Sequence, residues 1–204
     1  MAAAKSKRWI IGLTGKNASG KGVAAQALVN KGYHYHSLSD MLRLEAQKSG
    51  ISHSREDLIS LGQELRKQKG PGVLASKLLD FMPMEGMFVI DSIRHPEEIR
   101  LLKSTDTFLL IGIDAPPKIR FERAMKRGRN ESVKTLEEFQ LMENRENSSD
   151  VSGQQLDKCL SLADIILQNA GSMEELAKKV ASTIEDRSFP VSEPSQKSQI
   201  PSQT

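Results

Sequence analysis

The sequence has only one cysteine, Cys159, among its 204 residues, so an internal disulfide bridge is excluded. Its apolar runs fall far short of the roughly 18 to 20 residues that a membrane-spanning helix needs. The opening MAAAKSKRW leads into a short apolar stretch that Gly12 interrupts, and not into the long hydrophobic region of a signal peptide. We therefore expect a reducing, cytoplasmic compartment, no membrane partner and a flexible arm over residues 1–8.

A strong excess of one charge is also missing. The chain carries 29 Lys and Arg side chains against 26 Asp and Glu, a net charge of +3, whereas a dedicated nucleic-acid-binding protein has a marked basic excess. We therefore expect no nucleic acid partner, and any anion site must be local. The four histidines lack the spacing of metal ligands, which favours structural roles for them.

The apolar residues form five short runs with longer amphipathic stretches between them. Most of these runs lack polar alternation, as expected for parallel strands that helices cover on both faces. The runs are RWIIGLT, YHYHS, MFVID, TFLLIGID and DIILQ. The pattern predicts one α/β domain over residues 9–187. Residues 188–204 are rich in Ser, Pro and Gln and predict a disordered tail.

A phosphate-binding pattern follows the first predicted strand. In GKNASGKG, four residues separate Gly15 from Gly20 and Lys21 comes next, which matches GxxxxGK between a strand and a helix. Glycines let successive backbone N–H groups curl around a phosphate, and the following helix adds its positive N-terminal end. The residues predicted to bind ATP here are Gly15, Lys16, Asn17, Ala18, Ser19, Gly20, Lys21, Gly22 and Val23.

One position departs from the common pattern. Gly22 stands where a Ser or Thr hydroxyl usually binds Mg²⁺, so the metal would be held mainly through water. GKNASGKG resembles the GxPGxGKG loop of adenylate kinases, which has a glycine at this position. The resemblance implies a P-loop NTPase three-layer sandwich with a parallel five-stranded sheet. It also implies a short helical lid, here over residues 128–147.

The segment SLSDMLR resembles the STGDMLR segment at the start of the acceptor-binding helices of adenylate kinases, here residues 38–82. The resemblance implies that Ser39, Asp40 and Arg43 lie at the acceptor and that Arg43 grips its phosphate. A carboxylate beside the loop can also order the waters of Mg²⁺, which gives Asp40 a metal role. The alternative is that Asp40 caps a helix.

MFVIDSIRHPEE resembles the adenylate kinase strand that leads into DGFPR. An apolar run that ends in Asp91 suits the carboxyl edge of a parallel sheet, where ligands bind, so we expect Asp91 to hold Mg²⁺ mainly through water. Arg94 would then face the transferred phosphate. Asp114 also ends a predicted strand but lacks the following Ile-Arg pair, so we favour Asp91.

Arg123 and Arg127 lie four residues apart, on one face of a predicted helix. They resemble the arginine pair that opens the adenylate kinase lid; a solvated basic helix is the alternative. The charged segment that follows has no zinc-ligand cysteines, so the lid would be short and helical. Arg129 and Arg145 are its candidate phosphate contacts, although Arg145 could equally face solvent.

ADIILQNAGSMEEL resembles the closing strand and loop of dephospho-CoA kinases and of an uncharacterised archaeal group related to adenylate kinases. The resemblance implies that Asn169 and Gly171 lie beside the adenine of ATP. KGPGVLA, DSIR and RFERAMKRGR also match the archaeal group, which resembles this chain best. The similarity spans roughly Ile10 to Ile184.

Together these motifs predict a phosphotransferase that uses ATP and Mg²⁺, in which Lys21, Arg94, Arg123 and Arg127 supply the positive charge for the transfer. A nucleoside monophosphate is the expected acceptor, because SDMLR and DSIR both resemble its phosphate-gripping sites. Dephospho-CoA is the alternative acceptor. An alternative of another class is a nucleotide-binding regulatory or adaptor ATPase, which would have no need of Arg43 or Arg94. We expect a monomer or a dimer.

Overall fold

The computed structural model describes residues 7–105, 107–128, 133–147 and 150–192. The strands in these ranges are β1 (Lys7–Thr14), β2 (His34–Ser37), β3 (Glu85–Asp91), β4 (Thr107–Asp114) and β5 (Ile165–Gln168). The helices are α1 (Lys21–Val29), α2 (Leu38–Lys48), α3 (Arg55–Lys69), α4 (Val73–Phe81), α5 (Pro96–Thr105), α6 (Pro117–Lys126), α7 (Leu136–Glu146), α8 (Leu156–Ser161) and α9 (Met173–Asp186). None of these helices combines the length and the hydropathy that a bilayer span requires.

The five strands form one parallel sheet in the order β2-β3-β1-β4-β5. This confirms the predicted α/β fold with a parallel five-stranded sheet. β1 is central, and its Ile10 pairs with Phe88 of β3 on one side and Phe108 of β4 on the other. The loop after β1 therefore lies at the carboxyl edge of the sheet, where ligands bind in open α/β sheets.

The two faces of the sheet bury different residues because side chains alternate along each strand. Ile10 and Ile90 pack against α2, α3, α4, α5 and α8, whereas Ile11 and Ile111 pack against α1 and α9. Helices thus cover both faces, which explains the missing polar alternation. Cys159 is fully buried in the first cluster, and burial raises the pKa of its thiol, as expected for an inert core residue.

A smaller apolar cluster joins α6 and α7. It contains Ala124, Val133 and Phe139, and Ala18 of the loop after β1 packs into it. α7 begins at a capping box, in which the Thr135 hydroxyl accepts from the backbone N–H of Glu138 and the Glu138 carboxylate accepts from that of Thr135. α7 occupies much of the segment predicted to be a lid, while residues 129–132, which include Arg129, lie outside the described ranges.

The predicted N-terminal arm is too long. β1 already begins at Lys7, and Arg8 is 5% exposed. Its Nη1 donates to the carbonyl of Leu79, 3.1 Å away. A basic side chain that looked like part of a solvated arm is thus held by a backbone oxygen more than seventy residues away in sequence.

The predicted disordered tail begins too early. The Phe189 ring meets the Trp9 ring edge-on, with 5.3 Å between centroids. The Tyr33 hydroxyl donates to the carbonyl of Pro190 at 2.8 Å. Residues 188–192 therefore pack on the domain through one apolar ring and backbone hydrogen bonds. The prediction of disorder missed this packing because it was made from the average composition of the segment.

Candidate functional site

The loop between β1 and α1 is closely packed and depends on two glycines. Gly15 has φ 142° and Gly20 has φ 112°, a region that side-chain-bearing residues rarely adopt. A Cβ on Gly15 would lie 2.2 Å from the Ile113 carbonyl oxygen, and one on Gly20 would lie 2.1 Å from Asn169 Nδ2. The loop can therefore take this shape only with glycine at both positions.

The start of α1 leaves backbone donors free. Gly20 precedes the helix and no side chain caps it. The Val23 N–H donates to the Gly20 carbonyl at 3.0 Å, so the N–H groups of Lys21 and Gly22 are those for which the helix supplies no acceptor. Ser19 Oγ is buried and has no hydrogen-bond partner among the described atoms. Free donors at a helix N-terminus form an anion site, which is the geometry that the sequence motif predicts.

Lys21 holds its ammonium group inside this loop. Its Nζ donates to the carbonyls of Gly15 and Lys16 at 2.8 and 3.0 Å. The pKa of Lys21 is lowered to about 8, mainly by burial; Asp91 opposes this shift, and Arg94 and Arg127 add to it. The hydrogen-bond acceptors of the ammonium group within the described residues are thus neutral carbonyls, and Asp91 is the nearby negative charge.

Nucleotide binding should consequently weaken as the pH rises above about 8. Bound phosphates favour the charged form of Lys21 and raise its pKa, so binding above pH 8 takes up a proton. The affinity for ATP should fall by up to about tenfold per pH unit between the free and bound pKa values. Calorimetry in buffers of different ionisation enthalpy measures this uptake, and Lys21→Met should abolish it. A flat affinity profile for the wild type above pH 8 would contradict the assignment.

Asp91 ends β3 beside the same loop. It is 7% exposed and lines the cleft that contains Lys21. Ser92, which follows it, has φ 65°, an unusual conformation for a non-glycine residue that often marks a functional turn. Asp114, the competing acid, lines a separate pocket of about 370 Å³ instead.

A magnesium ion bound with ATP fits this arrangement. Mg²⁺ keeps several waters and often takes one or two carboxylates plus substrate phosphates, and Asp91 is the carboxylate available beside Lys21. Gly22 leaves open space, since a Cβ there would meet no atom within 4 Å. Within the described ranges, no group of three or more His, Cys, Asp or Glu side chains could hold a metal ion by itself.

The central cleft has a volume of about 1020 Å³ and more basic than acidic side chains in its lining, although the chain as a whole is nearly balanced. Only two acidic side chains, Asp91 and Glu146, are among its described lining residues. The basic lining residues are Lys21, Arg43, Arg55, Arg66, Arg94 and Arg127. The anion site expected from the sequence is thus a local concentration of positive charge.

Arg43 and Ser39 line this cleft from α2. Ser37 caps that helix by accepting from the backbone N–H of Ser39, so the alternative that Asp40 is the cap is wrong. Asp40 instead accepts a 2.6 Å hydrogen bond from Arg43 Nη1 and is not among the lining residues. The structure therefore brings Asp91, and not Asp40, next to Lys21.

Arg94 is held in the cleft from three directions. Its Nη1 donates to Gln154 Oε1 at 3.0 Å, and its backbone N–H donates to Glu98 Oε2 at 2.8 Å. Its carbonyl accepts from the backbone N–H of Gln155 at 2.8 Å. Burial lowers its pKa, and the half-buried side chain lines the cleft as a fixed cation.

Arg123 and Arg127 do not act as a matched pair. Arg123 donates to the carbonyls of Asn169 and Gly171 at 3.2 and 3.3 Å, next to the loop after β5. Arg127 follows the end of α6 and lines the central cleft. Asn169 also donates to the Ser19 carbonyl at 2.7 Å. Asn169 therefore contacts both Arg123 and the P-loop.

Several charged residues of the site gave no signal in the sequence. Arg55 on α3 donates two hydrogen bonds to Glu146 on α7, at 2.6 and 2.9 Å, and this pair bridges the cleft. Buried Arg66 also lines the cleft. Arg145, a predicted lid contact, is exposed and is not among the lining residues.

Two solved structures show the fold. Shikimate kinase from Aquifex aeolicus superposes with a TM-score of 0.54 at 17% identity, over 88% of this chain and 98% of that structure. Shikimate kinase from Acinetobacter baumannii, solved in complex with shikimate, superposes with a TM-score of 0.56 at 14% identity, over 89% and 96% of the two chains. The chain therefore has the fold of P-loop kinases.

Sequence relatives define the family. The AAA domain family matches residues 11–149. The UPF0200 protein of Pyrococcus horikoshii is 31% identical over 182 residues, which are 86% of this chain and 95% of the relative. Since both matches cover most of the chain, the protein belongs to the UPF0200 family, whose AAA domain has the P-loop kinase fold.

Proposed function

We propose that the protein transfers the γ-phosphoryl group of ATP to a small phosphorylated acceptor, and that a nucleoside monophosphate is the preferred acceptor. One observation carries the proposal: Arg43 and Arg94 line the same continuous cleft as Lys21. A cleft that binds only ATP needs cations at the loop. Two further arginines, one on α2 and one after β3, suit a second phosphate.

The donor half of the proposed site follows the loop and the β5–α9 connection. The phosphates of ATP lie on the free N–H groups at the start of α1, with Lys21 between the terminal phosphates. The adenine lies beside Arg123, Asn169 and Gly171, and Arg123 donates to the carbonyls of the other two. The Val23 N–H already donates to the Gly20 carbonyl at 3.0 Å, so Val23 stabilises the loop, and the backbone contacts to the phosphates come from the residues before it.

The proposed chemistry relies on positioning and charge. In phosphoryl transfer the protein aligns the attacking and leaving oxygens and stabilises the negative charge that develops between them. Lys21, Arg94 and Arg127, which all line the cleft, supply positive charge. Mg²⁺ that arrives with ATP would neutralise part of the phosphate charge, and Asp91 would hold its waters. We propose that residues 128–147 close over the site and exclude water, so that ATP is not hydrolysed.

Replacement of either acceptor arginine by lysine tests the proposal. Arg43→Lys and Arg94→Lys keep a positive charge but remove the planar fork that binds two phosphate oxygens at once. Each change should reduce kcat/KM for the acceptor by about tenfold to a hundredfold, equivalent to about 1.5 to 3 kcal/mol. The affinity for ATP should stay nearly constant. Steady-state transfer to the best acceptor, measured beside ATP calorimetry, gives both quantities.

The matched control is Arg100→Lys, because Arg100 lies on the surface of α5 and pairs with Glu97 outside the cleft. A screen of monophosphates and dephospho-CoA, with ATP and Mg²⁺, identifies the acceptor. If both variants lose ATP affinity in step with activity, the arginines belong to the donor site. If neither quantity changes, an adaptor ATPase explains the P-loop better.

A further inference from the structure

The acceptor half of the cleft has an apolar wall that the phosphate-binding residues do not explain. This wall comes from α2, α3 and α4 and consists of Leu42, Leu58, Ile59 and Leu74. Gly62 and Arg66, one turn apart on α3, lie in the lining beside it. A mostly apolar pocket with a few fixed polar groups is typical of a site for a planar organic group.

The Arg66 guanidinium is buried and poorly satisfied. Its side chain is 4% exposed, and its Nη2 lies 3.6 Å from Glu98 Oε1. Its Nη1 donates to the carbonyl of Ser152 over a long 3.5 Å, and Nε has no partner among the described atoms. An arginine has five N–H donors, and a buried polar group without partners is costly. The spare donors indicate a ligand that supplies acceptors.

Glu98 fixes this arginine relative to the acceptor loop. Its side chain is 1% exposed, and its Oε2 accepts from the backbone N–H groups of Arg94 and His95 at 2.8 and 3.1 Å. Its other oxygen faces Arg66 and has no hydrogen bond within the described ranges. Arg66 therefore sits at a defined place beside Arg94 and is not a mobile surface side chain.

Gly62 keeps the space beside the guanidinium open. Glycine inside a helix is unfavourable relative to alanine, so its presence in the middle of α3 requires a reason. A Cβ at this position would lie 3.3 Å from Arg66 Nη1 and 3.5 Å from Leu42 Cδ2. A methyl group would thus project into the corner where the basic and apolar parts of the lining meet.

We propose that Gly62 and Arg66 recognise the base of the acceptor, and that Arg66 selects a base edge with two neighbouring hydrogen-bond acceptors. O6 and N7 of guanine or hypoxanthine form such an edge, as do O2 and N3 of cytosine. Adenine places an amino donor where the guanidinium also donates, so its edge does not match. The inference rests on the proposed transfer to a nucleoside monophosphate and names its substrate class.

The test compares inosine monophosphate with AMP, which differ by an oxo and an amino group at position 6, and it includes CMP to separate purine from pyrimidine recognition. With ATP as donor, kcat/KM for the preferred oxo-bearing monophosphate should exceed that for AMP by about tenfold to a hundredfold. Arg66→Gln should reduce this preference, because a glutamine amide both donates and accepts. The KM for ATP should not change. Lys67→Gln, at the exposed next position of α3, is the control.

Gly62→Ala gives an independent variant that should fold, since alanine favours the helix. It should raise the acceptor KM while the Tm stays at or near the wild-type value. Retained preference in Arg66→Gln, together with impaired transfer in Arg94→Lys, would overturn the base assignment and leave the proposed function intact. If no monophosphate accepts a phosphoryl group, the proposed function is wrong. In that case calorimetry still tests the base pocket, and equal affinities for inosine monophosphate and AMP would overturn it as well.

Discussion

Lys21→Ala should lower phosphoryl transfer by about a hundredfold to a thousandfold while weakening ATP binding far less. The ammonium group lies inside the loop, hydrogen-bonded to the carbonyls of Gly15 and Lys16. Removing one fixed donor from developing transition-state charge costs about this factor in enzymes. Ground-state binding retains the N–H groups at the start of α1, so a smaller share of the affinity depends on Lys21.

Single-turnover transfer with saturating ATP measures the first effect, and calorimetry with ATP measures the second. The control is Lys31→Ala, which removes a lysine just after α1 that pairs with Glu185 on the surface. Unchanged turnover in Lys21→Ala would remove the P-loop from the mechanism. Equal losses in binding and turnover would instead mean that Lys21 acts on the ground state.

Arg120→Met should destabilise the protein by about 3 to 5 kcal/mol, because it leaves the Glu143 carboxylate buried without its cation. The two side chains form an ion pair between α6 and α7 and are 4% and 8% exposed. Arg120 Nε also donates to the carbonyl of Ala115 at 2.9 Å, and its guanidinium lies 5.7 Å from the centroid of the Phe139 ring. Burial raises the pKa of Glu143, whereas Arg120 opposes that shift.

Urea unfolding of the wild type, Arg120→Met, Glu143→Leu and the double variant measures the pair. The double variant should recover most of the loss, since two apolar side chains can replace a buried ion pair at little cost. Lys103→Met is the control, because its ion pair with Asp164 is 43% and 28% exposed and should contribute less than about 1 kcal/mol. A loss below about 1 kcal/mol in Arg120→Met would mean that the buried ion pair contributes little to the stability of the α6–α7 contact.

The parts of the fold that could be predicted are those with a local signal. Each strand is a continuous apolar run, and all five predicted runs overlap an observed strand. The P-loop was predictable for the same reason, since the spacing of Gly15, Gly20 and Lys21 is fixed within a few residues. SDMLR and DSIR are similarly short, and Arg43 and Arg94 do line the cleft.

Boundaries and side-chain pairings were less predictable. Arg123 and Arg127 share a helical spacing, but α6 ends at Lys126, so the second arginine leaves the helix and faces the cleft instead of the loop after β5. At both ends of the domain, residues that were predicted to be flexible make specific contacts. Arg8 and Phe189 look like parts of polar termini, yet both are held by residues that are far away in sequence.

The sequence by itself determined the sheet and the phosphate loop, because short-range spacing encodes both, while the resemblance of SDMLR and DSIR to adenylate kinase segments pointed to Arg43 and Arg94. Only the tertiary structure decided which of the other charged residues matter. Arg55 forms an ion pair with Glu146, which is 91 positions away in sequence, and Arg120 forms one with Glu143, which is 23 positions away. No local pattern marks such pairs, since any exposed helix carries similar charges. Packing of α6 against α7 removes Arg120 and Glu143 from water, and that desolvation gives this pair its energetic weight, whereas the Arg55 side chain is still 38% exposed.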